Sequence, residues 1–189
     1  MSSHHVVREK QEPALLVLGL DNFPDELLGQ LLEWSPTVIT TPQTAEKLIS
    51  FGIKIDWIIT DGSDEVLQSD VKLMSCGDGN LTDAALQYLS DNEFPAVNIV
   101  TDDFDIKDFE HFADRINLVI FNNQRKVYPV VSGFSKWKPA GEGVRLLGHS
   151  STLDLMGLEN VTDRQYKTTE DGFFTLRFNE PFLFIAEDL

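Results

Sequence analysis

The sequence predicts an α/β protein. A parallel-sheet N-terminal domain with helices on both faces is followed by a small all-β, sandwich-like C-terminal domain. Between residues 14 and 121, short apolar runs alternate with segments of helical periodicity, which is typical of a parallel sheet with right-handed crossovers. Beyond residue 123, strand candidates are separated only by turns. We therefore expect a flexible leader at 1–12, the α/β domain at 13–125 and the β domain at 126–189.

The strands of the first domain are predicted by runs of apolar and β-branched residues, which favour buried extended structure. These runs are 14–20, 37–40, 55–60, 96–101 and 116–121. The helices between them are predicted by apolar residues spaced three and four apart, with end signals such as Pro24, Thr82 as an N-cap and Gly52 as a C-cap. These helices are 25–34, 44–51, 82–89 and 106–114.

The strands of the second domain are short and lie between turn sequences such as Asp171-Gly172. We expect them at 127–131, 144–147, 152–158, 173–178 and 182–186. Four phenylalanines occur in or next to the last two of these strands. They suit either a homodimer interface or the interior of the sandwich. They are Phe173, Phe174, Phe182 and Phe184.

Composition excludes several functional classes. The 189 residues carry 15 basic and 31 acidic side chains, a net charge of −16, which disfavours binding to nucleic acid. The single cysteine, Cys76, excludes an intramolecular disulfide and a multi-cysteine zinc site, and it is compatible with a cytoplasmic location. The sequence contains neither an apolar run of the ~20 residues needed to span a bilayer nor an apolar signal core, so no membrane association is expected.

Acidic residues follow three of the predicted parallel strands: Asp21, Asp61, and the pair Asp102 and Asp103. The carboxyl ends of such strands meet at one edge of a sheet, where ligands bind. Carboxylates gathered there would suit Mg²⁺ with the phosphates of a nucleotide. Aspartate is also common after strands because it caps helices and forms turns, so position alone leaves both interpretations open.

Several segments, in order, resemble the thiamine pyrophosphokinase family, whose members transfer diphosphate from Mg-ATP to thiamine. They are LLVLGLDNFP at 15–24, AEKLISFGIKIDWIITDGSDEV at 45–66, LTDAALQYL at 81–89, GEGVRLLG at 141–148, LMGLEN at 155–160 and EPFLFIAEDL at 180–189. The resemblance implies Mg²⁺ and ATP as cofactors, a thiamine-like small molecule as ligand and a homodimer with thiamine sites between its subunits.

The resemblance also implies roles for individual residues. Asp61, Asp64 and Asp83 would be the catalytic, Mg²⁺-binding carboxylates. A second group would bind the cofactors, with Asp102 or Asp103 as substitutes for lost Mg²⁺ ligands; it consists of Asp21, Thr82, Asp102 and Asp103.

Several motifs of the family are altered. Pro42 and Glu46 stand where the family has Asp and Asn, and Ser63 stands where it has a second acidic residue. The segment at 100–114 replaces one that supplies an Arg and an Asp-His pair, and the loop with a Ser-Asn-Glu signature is absent between 160 and 171. Diphosphate transfer depends on positioning and charge neutralisation. The sequence therefore leaves two hypotheses, a divergent kinase and a non-catalytic ligand-binding or regulatory relative, and the lost motifs favour the second.

Overall fold

The computed structural model describes residues 12–61, 71–77 and 79–189. All but the last residue of the predicted leader therefore lies outside the described residues. The chain divides into two units, Met1–Leu118 and Val119–Leu189. An α/β unit followed by a β unit agrees with the predicted fold class. Among the described helices, none is long and apolar enough to cross a membrane.

The first unit contains a parallel sheet in the order β5-β1-β2-β3-β4. Its strands are β1 (Ala14–Val17), β2 (Val38–Thr40), β3 (Trp57–Thr60), β4 (Lys72–Ser75) and β5 (Ala96–Val100). All four residues of β1 are buried. Because successive side chains of a strand point to opposite faces, both faces of β1 are covered.

Four helices connect the strands of this unit: α1 (Asp25–Leu32), α2 (Pro42–Ser50), α3 (Leu81–Asp91) and α4 (Lys107–Glu110). Two predictions made for them were wrong. The N-cap of α3 is Asn80, whose side chain accepts a 2.9 Å hydrogen bond from the Thr82 amide, so Thr82 lies inside the helix. α4 is shorter than expected because the amide of Phe112 bonds the carbonyl only three residues back, in a tight turn.

The second unit is built from antiparallel pairs. Its strands are β6 (Asn117–Asn122), which begins at the end of the first unit, β7 (Arg125–Val130), β8 (Phe134–Lys138), β9 (Gly143–Leu147), β10 (Leu153–Met156), β11 (Leu158–Thr162), β12 (Gln165–Thr168), β13 (Gly172–Phe178) and β14 (Leu183–Asp188). The larger sheet has the order β11-β12-β9-β14-β7-β6, and the smaller one the order β10-β13-β8.

A shared apolar core lies between these two sheets, as a sandwich requires. Phe174 and Leu176 from the smaller sheet pack with Leu146 and Ile185 from the larger one. Of the four phenylalanines, only Phe174 belongs to this core, and the expected homodimer interface stays a prediction. Phe174 and Phe184 are buried and Phe182 is half-buried, whereas Phe173 is 69 % exposed and lies opposite Trp137 on β8.

A buried ion-pair cluster joins the two sheets. Glu187 on β14 is 4 % exposed, and its carboxylate lies 2.5 Å from the Lys136 ammonium and 3.4 Å from that of Lys138, both on β8. The hydroxyl of Tyr128 on β7 donates to the same carboxylate at 3.0 Å. Burial opposes ionisation of Glu187, but the hydrogen bond and charge of Lys136, the charge of Lys138 and the Tyr128 hydrogen bond hold its pKa below the usual range.

We predict that Glu187→Gln lowers the free energy of unfolding by about 3 kcal/mol, because a partly buried cation loses its carboxylate. The side chain of Lys138 is 11 % exposed and, among the described residues, would keep only Glu142, at 3.6 Å, as an ionic partner. Urea unfolding at pH 7 followed by circular dichroism measures the change. The control is Asp188→Asn, whose exposed ion pair with Arg125 at 3.8 Å should contribute less than about 1 kcal/mol.

Comparison of wild type with Glu187→Gln also yields a pH prediction. A carboxylate with a lowered pKa stabilises the fold above its unfolded pKa, and this contribution is lost as the pH falls through the folded pKa. The stability difference between wild type and Glu187→Gln should therefore shrink below about pH 4.5, the ordinary value for glutamate. A difference that stays constant between pH 7 and pH 3.5 would contradict the role assigned to Glu187.

Candidate functional site

The candidate site is the edge of the parallel sheet at which its strands end. The loops that leave this edge carry Asp21 after β1, Asp61 after β3, and Asp102 and Asp103 after β5. Asp21, Asp61 and Asp103 are exposed, whereas Asp102 is half-buried. The aspartates therefore follow the strands as the sequence predicts. The contacts of each side chain determine whether it is available to a ligand.

Asp102 binds the loop between β1 and α1. One of its carboxylate oxygens accepts a 2.9 Å hydrogen bond from the amide of Asp21, and the other accepts one of 3.0 Å from the amide of Asn22. Carboxylates that accept backbone N–H groups form strong, charge-assisted hydrogen bonds. The Asp102 side chain therefore holds protein backbone at the position where the sequence predicts cofactor binding.

Side chains of β2 and α2 donate hydrogen bonds to the carbonyl groups of the chain around this loop. The hydroxyl of Thr40 donates to the carbonyl of Val17 at 2.7 Å, and that of Thr44 donates to the carbonyl of Leu18 at 3.2 Å. The Lys47 ammonium lies 2.8 Å from the carbonyl of Leu20 and 3.5 Å from the carboxylate of Asp21. Neighbouring elements thus provide donors for the carbonyl groups of the chain as it leaves β1.

Gly19 makes this arrangement possible. A Cβ atom at Gly19 would overlap the Asp102 carboxylate, lying 2.9 Å from both its Cγ and the Asp102 backbone nitrogen. Such distances are shorter than side chains tolerate, and the backbone atom cannot rotate away. Only glycine lets the first loop approach the β5 loop this closely.

The remaining predicted site residues are distributed as follows. Asp64 lies outside the described residues. Asp83 is exposed in the first turn of α3, and its negative charge acts on Asp108 of α4. Desolvation of Asp108 and the charges of Asp105 and Asp83 raise the pKa of Asp108. The structure therefore groups Asp83 electrostatically with two acids that the sequence analysis did not single out.

The carboxylates placed so far do not form a metal site by themselves. Within residues 12–61, 71–77 and 79–189, no three His, Cys, Asp or Glu side chains lie together as a metal ion would require. The described residues therefore provide no complete three-ligand site, although Mg²⁺ bound with a nucleotide needs only one or two protein carboxylates beside phosphate oxygens and water. The predicted trio of Asp61, Asp64 and Asp83 remains a prediction.

Buried threonines at the ends of the strands support the loops of this edge, and the sequence analysis did not single them out. β2 and β3 end in Thr40 and Thr60, and Thr101 follows β5; all three are buried. Thr101 donates to the carbonyl of Asp103 at 2.6 Å, which shapes the loop that carries Asp102. The repeated endings VIT, IIT and IVT were the available sequence signal. Buried hydroxyls recurring at strand ends indicate hydrogen bonds to loops, since a buried hydroxyl needs a partner.

Comparison with known proteins identifies the fold. No family model and no curated protein matches the chain. Among solved structures, thiamin pyrophosphokinase from Geobacillus thermodenitrificans aligns with a TM-score of 0.73 at 13% identity, covering 93% of this chain and 97% of that one. Thiamine pyrophosphokinase from Bacillus subtilis aligns with 0.69 at 12% identity, covering 94% and 99%. The yeast enzyme aligns with 0.65 at 10% identity, covering 97% and 88%. The chain has the fold of these proteins, as the sequence resemblance implied, and identities this low show the fold alone.

We predict that Gly19→Ala destabilises the protein by about 1–3 kcal/mol, because the added methyl group must displace Asp102 and release the amides of Asp21 and Asn22. Thermal unfolding measures the effect. The matched control is Gly29→Ala in α1, where a Cβ would meet nothing within 4 Å. In a helix interior this control should raise stability by about 0.5–1 kcal/mol. A destabilisation by Gly29→Ala as large as that by Gly19→Ala would refute the steric explanation.

Proposed function

We propose that this protein binds a nucleotide or a thiamine-like small molecule at the carboxyl edge of its parallel sheet and transfers little or no diphosphate. The observation that supports this most strongly is the position of Asp102, with each of its carboxylate oxygens holding a backbone amide of the β1–α1 loop. The sheet edge thereby keeps its shape, but the Asp102 carboxylate is bonded to the protein backbone instead of a metal ion or ligand.

The energetic cost of freeing Asp102 supports the same conclusion. If this carboxylate turned toward a metal ion, the amides of Asp21 and Asn22 would exchange it for water, at about 0.5–1.5 kcal/mol for each hydrogen bond lost. Lys47 also uses one of its three N–H donors on the carbonyl of Leu20. Diphosphate transfer needs groups free to neutralise charge on phosphate oxygens, and removing a single stabilising donor of this kind lowers catalytic rates about 10²–10³-fold.

The second candidate is a divergent thiamine diphosphokinase. It is favoured by the fold shared with thiamin pyrophosphokinases along 93–97% of this chain. In this case Asp61, Asp64 and Asp83 would hold Mg²⁺ with ATP, and thiamine would accept the diphosphate. Shared fold alone does not fix the chemistry, so the two candidates need a direct test.

A homodimer is part of both proposals. The cross-strand neighbours Phe173 and Trp137 are 69 % and 52 % exposed, and large aromatic residues are enriched at protein interfaces. Sedimentation equilibrium would test this, with Phe173→Ser expected to weaken the association.

The decisive experiment is a turnover assay of the purified protein with Mg-ATP and thiamine. AMP and thiamine diphosphate are separated by chromatography, and an active thiamin pyrophosphokinase serves as the positive control. We expect the rate to be at least about 10³-fold below that of the control, because several charge-neutralising contacts are lost together. Product formation near the control rate that disappears in Asp61→Asn would establish the kinase and overturn our proposal.

Binding is measured in parallel by isothermal titration calorimetry with Mg-ATP and with thiamine, each added alone. We expect saturable binding of at least one of them. Folded protein that binds neither at millimolar concentration would contradict a ligand-binding role for this edge. The control variant is Gly29→Ala, whose substitution lies in α1 outside the β1–α1 loop. We expect it to bind as the wild type does.

A further inference from the structure

A second candidate site lies entirely within the β unit. A groove of about 460 Å³ opens on the larger sheet and is lined by residues of β7, β9, β12 and β14. Val144 and Leu146 of β9 belong to the sandwich core. Because side chains alternate along a strand, Gly143 and Arg145 face the other way, away from the core. The groove is therefore on the outer face of this sheet.

Strand register places three cations and two acids on this face, since Glu159 of β11 lies opposite Lys167. Arg145 lies opposite Ala186 on one side and Gln165 on the other, and the next row contains Lys167 opposite Gly143. The pair Arg125 and Asp188 continues that row on β7 and β14. In a chain with a net charge of −16, this is a local excess of positive charge.

The cations are only partly neutralised by the protein. Lys167 pairs with Glu159 at 2.9 Å and Arg125 with Asp188 at 3.8 Å, and all four side chains are substantially exposed. Exposed pairs of this kind contribute about 0–1 kcal/mol, so they exchange easily for a ligand. Arg145 has no carboxylate within 4.0 Å among the residues that the structure describes, although it is half-buried. Its neutral partner is Gln165. When the Gln165 amide is oriented so that its nitrogen donates to the Thr162 hydroxyl, its oxygen accepts a hydrogen bond from Nε of Arg145 at 3.2 Å.

The floor of the groove is built from small residues. Gly143 has no side chain, and Ala186, which is buried, contributes only a methyl group. A ligand can therefore approach the sheet closely between Arg145 and Lys167. The volume lies within the range of about 300–1,000 Å³ that is usual for small-molecule sites. The overall negative charge of the chain opposes an extended polyanion such as nucleic acid.

We propose that this groove binds a small molecule carrying a phosphate or diphosphate group, with the Arg145 guanidinium as its main contact. A guanidinium donates two parallel hydrogen bonds to such an anion, and Lys167 and Arg125 add charge on either side. The site is in the β unit and does not depend on the function proposed for the parallel sheet.

The test is calorimetric titration of the intact protein with inorganic pyrophosphate, in EDTA so that no metal complex can bind at the carboxylate edge. We expect saturable binding at millimolar or lower concentration. Arg145→Gln should weaken it at least about tenfold, because a hydrogen bond to a charged group is worth roughly 1.5–3 kcal/mol. Arg145→Lys should weaken it less, because the charge remains without the planar fork.

Two further variants separate this site from a general charge effect. Arg177→Gln removes the same charge from an exposed position of β13, on the other sheet, and should leave the affinity within twofold. Gly143→Val keeps every charge but fills the floor, and it should abolish binding. Its Cβ would lie an ordinary 3.6 Å from Asp188, so the fold should be retained, as circular dichroism would verify. Absence of wild-type binding, or equal weakening by Arg177→Gln, would overturn the proposal.

Discussion

The way the chain leaves β1 constrains the whole α/β unit. At this point the backbone passes out of β1, an interior strand of the sheet, and its amides and carbonyls need partners from elsewhere. Val100 of β5 and the Asp102 carboxylate accept the amides, while Thr40, Thr44 and Lys47 supply donors for the carbonyls. Three separate parts of the chain are thereby tied to one loop. The geometry of this edge of the sheet follows from these bonds, because the same residues form the edge and hold the loop.

Most of the α/β unit was predictable because its strands are apolar and its helices periodic. The strands β1, β2, β3 and β5 were all expected, whereas β4 was not, since its sequence KLMS is mostly exposed and its pairing with β3 is what makes it a strand. β8, β11 and β12 were missed for the same reason: they are partly exposed and polar, and their partners define them. Sequence periodicity reports burial, so strands with an exposed face carry a weak signal.

The location of the candidate site was predictable from the sequence, but the contacts that its side chains make were not. That Asp21, Asp61 and Asp102 follow strands was visible in the sequence, and a parallel sheet brings such positions to one edge. The partners of Asp102 were not visible, because they are backbone amides some eighty residues away along the chain. The steric requirement at Gly19 is likewise a property of the folded loops. In the β unit, the cations of the outer groove lie on three different strands, and only the register brings them together.

The position of β14 in the larger sheet has a consequence for synthesis on the ribosome. β14 lies between β7 and β9, and it carries the Glu187 that joins the two sheets, yet it comes after both of them in the chain. The strands of the parallel sheet are complete once Val100 has been made. During translation the α/β unit therefore has all its strands while β7 and β9 still expose unpaired edges and apolar faces. Unpaired strand edges and exposed apolar faces promote aggregation, so we expect nascent chains at this stage to benefit from chaperone protection.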